Sequence, residues 1–338
     1  MNTDNNYKVN LTLAICMYNA ERYIEETLQS VLNQTMQEFH LIIVNDCSTD
    51  SSVSIVRKFF EQHPRQYELI DFDENHGLAY ARHFAEHYAK TTYMMFLDSD
   101  DLLYHNAIKQ MYDKITSDGD LMAVGCYVEY IDRLGRRIGG GIFLGEKSKE
   151  KFYIKAKNKK LIFMLTSAIY DRQLALSIGG HAIDGFPEGK PRFQDFCEDL
   201  DLWTRMSDFY VDGKAIVVVP EILYKYRKSG GLSSNSFNMI IKMRYTKTNL
   251  LRRRAGEKEF TFIEFRNQIS AENLKRIEKD AKAADCLRNG VFYLKEHSFI
   301  KGGWTILKSV WYKPTYIIDK FKPVSYTHLR AHETLANL

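Results

Sequence analysis

The chain has 338 residues, enough for one large domain or one domain with an appendage, and its 45% hydrophobic and 27% charged residues exclude global disorder. The net charge of +4 is small, and basic residues outnumber acidic ones mainly from about Lys242 to Lys322, so a mildly acidic body precedes a basic C-terminal region. The five cysteines, Cys16, Cys47, Cys126, Cys197 and Cys286, lack zinc-ligand or CxxC spacing, Met1 to Asn10 is polar, and no apolar run approaches the roughly 18–20 residues of a membrane span, so the expected location is cytoplasmic, reaching at most the inner membrane face.

Strand and helix patterns alternate through the first part. Leu11–Cys16 reads as a buried strand, and Ala20–Gln34 as a helix with Ile24, Leu28, Val31 and Leu32 at helical spacing. Phe39–Val44 is a strand, Ser51–Gln62 a helix, Tyr67–Phe72 a strand and Gly77–Lys90 a helix. Tyr93–Leu97 is a strand, His105–Ser117 a helix and Leu121–Ile131 a strand. From Gly135 to Lys160 the pattern weakens, and three glycines with a lysine-rich stretch suggest a mobile loop. Leu161–Tyr170 and Leu174–Ile178 are apolar again, and Gly185–Arg192 is a Gly/Pro loop leading into a helix over Glu198–Ser207. Ile216–Val219 and Ile222–Tyr226 read as two strands around Pro220, and beyond Asn238 the chain is helical, basic and aromatic.

Strands separated by helices imply right-handed crossovers and a largely parallel sheet covered on both faces. Such sheets bind ligands outside the carboxyl ends of their strands. The residues at those ends are Tyr18-Asn19, Asn45-Asp46, Asp73-Glu74-Asn75 and Asp98-Ser99-Asp100-Asp101, so polar, mostly acidic groups collect on one edge. Carboxylates crowded as in the last run repel one another unless a cation sits among them, and a hard divalent cation, Mn²⁺ or Mg²⁺, suits an all-oxygen donor set. The alternative is that Asp101 caps the following helix and the others are solvated. Asp46 can accept hydrogen bonds from a base or ribose, or form a turn with Ser48. Arg82 lies one turn inside a helix at this edge and can reach a phosphate, or be solvated. Glu198 and Asp199 open a helix after a Gly/Pro loop, where a carboxylate is a cap by default and a general base if a hydroxyl is delivered to it.

Taken in order, these motifs resemble the family-2 inverting glycosyltransferases of bacterial surface-polysaccharide synthesis. The matching stretches are Leu13–Ala20, Ser30–Thr35, Ile43–Asp50, Asn75-His76-Gly77 with Ala81-Arg82, Phe96–Asp101, Glu198–Trp203 and Tyr226-Arg227, spanning about Val9 to Ser234. The resemblance implies an α/β GT-A fold, a Rossmann-like, mostly parallel sheet with helices on both faces and a helical C-terminal region. With the match ending near Ser234, the chain divides into a catalytic domain over 1–234, a basic aromatic region over 235–323 read from its own composition, and a tail over 324–338 without periodicity that reads as non-native, translated cloning sequence. The resemblance also implies a nucleotide-diphosphate sugar donor, UDP-linked, a glycan or lipid-linked glycan acceptor, and a bound Mn²⁺ or Mg²⁺. Residue by residue, Asp46, Arg82, Tyr18, Asp98 and Ser99 correspond to nucleotide contacts, Asp100, Asp98 and Asp101 to the metal group, Asp199 to the general base and Glu198 to its positioning partner. The chain departs from the family in Cys16-Met17, in Asn45 for a common aspartate, and in Ser229 for a common histidine.

Two other classes stay open: a catalytically silent sugar-nucleotide binder, and a sugar-phosphate nucleotidyltransferase. Cys16–Arg22 holds neither the glycine nor the lysine of the phosphate loop that the latter needs. Trp304, Trp311, Tyr312 and Tyr316 interleaved with Lys301, Lys308, Lys313 and Lys320 suit a membrane interface or an ordinary helical subdomain. No recognition motif for nucleic acid accompanies the charge.

Overall fold

The computed structural model describes residues 10–165, 167–228, 235–295 and 298–314. Ser229, Tyr316, Lys320 and the tail over 324–338 lie outside the described residues. The chain forms two compact units. The first takes the described residues up to 158, then 162–183 and 198–228; the second takes 159–161, 184–197 and the described residues from 235 onward.

The first unit begins with β1 (Leu11–Met17), α1 (Ile24–Leu32), β2 (His40–Asn45), α2 (Ser52–Gln62), β3 (Glu68–Asp71), α3 (Leu78–Tyr88) and β4 (Tyr93–Asp98). Strands β2 and β4 flank β1, and all three run parallel, with β3 parallel beyond β2. Every residue of β1 and β2 is buried. Helices cover both faces of such a sheet, which is why these strands read as continuous apolar runs rather than alternating ones. The sheet continues through β5 (Leu102–Leu103), β6 (Leu121–Ile131), β7 (Arg137–Ile142), β8 (Ile169–Asp171) and β9 (Ala215–Arg227), in the order β3-β2-β1-β4-β8-β6-β9-β5 with β7 paired to β6. The pairings of β8 with β4 and β6, of β7 with β6 and of β5 with β9 are antiparallel.

Two segments differ from what their sequences suggest. The stretch from Gly135 to Lys160 is not a loop, because it holds β7 and the helix α5 (Lys149–Lys157). The glycines belong to the strand: a Cβ at Gly141 would lie 2.3 Å from the Val128 carbonyl oxygen, so only glycine lets β7 approach β6 there. Helix α5 buries only Phe152 and Ala156, too narrow a face to stand out in the sequence. The two strands expected around Pro220 are one, β9. Its pairing with β6 steps from Cys126↔Val219 to Tyr127↔Ile222, so Pro220 and Glu221 sit outside the ladder. A bulge is one of the few places where a sheet tolerates proline, since no ladder donor is lost.

Helices α4 (Ala107–Thr116), α6 (Arg172–Ser177) and α7 (Glu198–Met206) complete this unit. Trp203 of α7 is fully buried, packs edge-on to Tyr170 at 5.4 Å and donates from Nε1 to the Met164 carbonyl at 3.0 Å. Trp203→Ala is expected to destabilise the fold by about 3–5 kcal/mol, the range for aromatic-to-alanine changes in cores, measurable by urea denaturation.

The second unit contains α8 (Ser236–Arg254), α9 (Phe262–Asn267), α10 (Ala271–Lys295) and α11 (Phe299–Tyr312). Its core joins Ile240, Ile241, Phe262, Phe265, Ile277 and Ala281. Thr261 and Glu264 close a reciprocal capping box at the start of α9.

Candidate active site

The in-register parallel pairing of β1 with β2 and β4 aligns their carboxyl ends: Met17 lies beside Asn45, and Cys16 beside Asp98. The loops that follow are tied to one another. The Asn19 amide donates to Ser48 Oγ at 3.0 Å, the Thr49 amide donates to Asn19 Oδ1 at 2.8 Å, and the Glu21 amide donates to Asp50 Oδ2 at 3.0 Å. Asn19 and Cys47 both hold left-handed backbone, at φ of 49° and 59°. Non-glycine residues persist there only where their surroundings over-determine them, and such positions gather at functional sites. Tyr18 is 49% exposed at the rim. Cys16 is buried, and burial pushes its thiol up to about 12, so it is an inert wall.

Asp46 is placed differently from the expected base contact. It is buried, and its carboxylate accepts from the Asn75 side chain at 2.8 Å and from the amides of His76 and Gly77 at 2.7 and 2.9 Å. Nor does it cap α2. It clamps the turn ahead of α3. Gly77, at φ 97° and ψ 166°, occupies backbone space that is essentially glycine-only, which explains the glycine of the Asn-His-Gly motif. Asn45, which stands for a common aspartate, donates to Asp71 Oδ1 at 3.0 Å and accepts from the Ser48 amide at 3.1 Å.

The run after β4 is held by residues to which the sequence reading assigned no role. Thr27 Oγ1 of α1 donates to the carbonyls of Ser99 and Asp101 at 3.1 and 3.0 Å. Arg227, buried at the end of β9, donates from Nε to the Asp100 carbonyl at 2.7 Å, from its amide to Asp101 Oδ1 at 2.6 Å, and pairs with Glu26 at 2.6 Å. Tyr224 donates to Asp101 Oδ2 at 2.7 Å. The only sequence signal was that Tyr226-Arg227 belongs to the motif order. Asp101 therefore faces the fold and is 1% exposed, so its side chain is neither at the metal position expected for it nor a helix cap; the residue preceding α4 is Asn106. Burial raises the Asp101 pKa well above the carboxylate range, reinforced by the neighbouring charges of Asp100 and Asp98.

Asp98, Ser99 and Asp100 remain partly exposed. Asp98 accepts from Arg82 at 2.5 Å, and the other arm of the same guanidinium pairs with Glu198. Arg82 is thus a buried bridge at 1% exposure, not a solvent-facing nucleotide contact. Burial works against its charge, yet Asp98 and Glu198 together hold its pKa above the ordinary arginine value. Through it, two acidic motifs 100 residues apart in sequence share one site. Asp199 lies next to Glu198 at the start of α7, partly buried, with Oδ1 accepting from the Leu200 amide at 2.6 Å. Burial first, and the Glu198 charge second, push its carboxyl up to about 7. The helix that presents it is fixed by Trp203, by Thr204, whose Oγ1 accepts from the Ile162 amide at 3.2 Å, and by Arg205, which pairs with Asp201 at 2.9 Å and donates to the carbonyls of Ile178 and Gly180.

Among the described residues no three His, Cys, Asp or Glu side chains form a ready metal cage. Asp98 and Asp100 offer oxygen ligands only. That donor set fits Mg²⁺ or Mn²⁺, which commonly takes one or two carboxylates and completes its shell with water and substrate phosphate. The repulsion among Asp98, Asp100 and Asp101 is what such a cation relieves.

Known proteins share this layout. The profile of Glycosyl transferase family 2 matches residues 12–178. The chain is 42% identical over 113 residues to the teichoic acid poly(glycerol phosphate) polymerase of Staphylococcus epidermidis, across 33% of this chain but 16% of that protein. It is 40% identical over 96 residues to the putative teichuronic acid biosynthesis glycosyltransferase TuaG of Bacillus subtilis, across 28% of this chain and 38% of the relative. The chain therefore spans well under half the length of these relatives. The crystal structure of S. aureus TarS 1–349 in complex with UDP-GlcNAc superposes with a TM-score of 0.54 at 18% identity, covering 93% of both chains. Through residues 12–178 this chain belongs to glycosyl transferase family 2, and the domain is built on the GT-A fold.

Proposed function

We propose that the chain is an inverting glycosyltransferase, moving a sugar from a nucleotide-diphosphate donor, UDP-linked, to a hydroxyl of a glycan or lipid-linked glycan during surface-polysaccharide synthesis. One observation carries the reading: the Arg82 guanidinium ties Asp98 to Glu198, so an acidic diphosphate-side motif and a carboxylate poised as a base meet in one site. The relatives named for teichoic and teichuronic acid support the acceptor class, and the TarS complex with UDP-GlcNAc supports the donor class.

In this mechanism Asp199 takes the proton from the acceptor hydroxyl as that oxygen attacks the anomeric carbon. A carboxyl lifted to about 7 is matched to that task, because a base is most effective with a pKa near the working pH. Glu198 and Arg82 fix where Asp199 stands relative to Asp98. Asp98 and Asp100 would hold Mn²⁺ or Mg²⁺, which when bound supplies positive charge against the departing diphosphate. Tyr18 and Ser99 line the donor side, while Asp46 acts on the nucleotide through the 75–77 turn it holds. On this reading catalysis resides in residues 1–234, and the basic region over 235–323 brings the enzyme to the inner face of the cytoplasmic membrane.

The test is a panel of nucleotide sugars, each with Mn²⁺ or with a chelator, scored by thermal stabilisation and slow donor hydrolysis. A UDP-sugar at 100 times its dissociation constant is expected to add about 2.7 kcal/mol of stability, most of it lost with the chelator. If no nucleotide sugar stabilises the protein in Mn²⁺, the proposal is wrong.

A further inference from the structure

Helix α11 is built inside out. The side facing α10 carries small residues. A Cβ on Gly290 would lie 3.1 Å from the Gly302 carbonyl oxygen, and one on Gly302 would lie 3.0 Å from the Gly290 carbonyl oxygen, so the two backbones nearly touch. Ser309 Oγ then donates to the Ala283 carbonyl at 2.7 Å, and Lys313 pairs with Asp280 at 2.9 Å. Ile306 lies against Gly290 in this contact, whereas four other large apolar side chains point away from it. Ile300 is 91% exposed, Trp304 62%, Leu307 60% and Trp311 78%. Their spacing of four, three and four residues places all four on one stripe of the helix.

A soluble helix turns its large apolar residues inward, and a contiguous exposed stripe of this kind marks an interaction surface. We propose that the α11 stripe is a docking surface for an anionic phospholipid bilayer, with the helix lying in the plane of the headgroups. Charge complementarity decides for this occupant. The helix contains no acidic residue, and its exposed Lys301 and Lys308 project beside the stripe, about 60–100° around the helix from its centre. From there their stems lie along the apolar surface while the ammonium groups reach lipid phosphates. Two tryptophans in the stripe suit the amphipathic headgroup zone. At 14 residues α11 is shorter than the roughly 20 that a membrane span needs, so the contact proposed for it is interfacial. The inference deepens the membrane-side reading above by naming the element and the face, and vesicle binding is measured apart from sugar transfer.

The experiment uses the full chain with vesicles of phosphatidylglycerol and, separately, of phosphatidylcholine. Co-sedimentation should be at least tenfold stronger on phosphatidylglycerol and should weaken in salt. The triple variant Ile300→Ser, Trp304→Ser, Leu307→Ser should lose it while keeping the parent's circular dichroism and melting temperature. Trp304 and Trp311 make two of the chain's three tryptophans, the third being the buried Trp203, so binding should also shift emission to the blue. The Lys301→Glu, Lys308→Glu pair should lose binding with the stripe intact. Equal binding to both vesicles, or full binding by the triple variant, overturns the proposal. So does concentration-dependent self-association that the triple variant abolishes in the absence of vesicle binding, which would assign the stripe to a second copy. Tryptophans already shielded from a soluble quencher without lipid would assign it to the chain's own residues beyond 314. If donor stabilisation fails while vesicle binding holds, only the catalytic reading falls.

Discussion

Replacing Asp199 with asparagine is expected to lower the rate of sugar transfer by ~10²–10⁴-fold, the contribution typical of a positioned general base, while leaving donor binding within a few-fold of the parent. Asparagine keeps the side chain's size and its carbonyl, so the hydrogen bond from the Leu200 amide survives. What disappears is the capacity to take a proton. The parent should therefore show an acid limb in kcat/KM, with activity rising as pH passes through about 7, where the carboxyl ionises. The residual activity of the asparagine variant should lack that limb. A variant that transfers sugar at the parent's rate would place the base elsewhere.

The same raised pKa has a consequence for stability. In the unfolded chain Asp199 ionises near its ordinary value of 3.8; in the folded protein it holds its proton up to about 7. Between those values the folded state binds more protons, so this group's contribution to stability falls as pH rises through the window and is lowest above it. Asp199→Asn should then melt higher than the parent at pH 8, with the difference shrinking towards pH 4. Activity lost and stability gained in one substitution is the behaviour of a group kept for its chemistry rather than its packing.

The strands and helices around the nucleotide edge were legible because a sheet covered on both faces demands long apolar runs, and its helices demand a 3.6-residue stripe. The strand after Gly135 was not legible, because its glycines serve a close backbone approach to Val128 and resemble loop punctuation when read alone. Pro220 hid the continuity of β9 because only the pairing with β6 reveals the bulge that excuses it. The family's motif order placed Asp98 and Glu198 in one sequence pattern, but it did not tell that Arg82 would join them. An arginine in a helix looks solvated until its partners, 16 and 116 residues away, are known. Asp46 and Asp101 were legible as functional in position and not in role, since both turn inward to hold the loops whose neighbours face outward.

Removing that bridge tests how the site is assembled. Arg82→Met takes away the guanidinium between Asp98 and Glu198 and leaves the Glu198 carboxylate buried without that partner. Breaking a buried pair on one side commonly costs about 3–5 kcal/mol, because the stranded charge cannot be rehydrated. The deficit should narrow at low pH, where the freed carboxylates take up protons. Arg82→Lys should lose less stability but not recover transfer, because an ammonium is a single point of charge and cannot span two carboxylates as a planar fork does. Urea denaturation of the three proteins at pH 7 and pH 4.5 separates these outcomes. If Arg82 instead met the nucleotide directly, Arg82→Met would raise the donor KM with stability unchanged. A bridge predicts the opposite pattern, a less stable protein in which kcat falls because Asp199 no longer stands at a fixed position relative to Asp98.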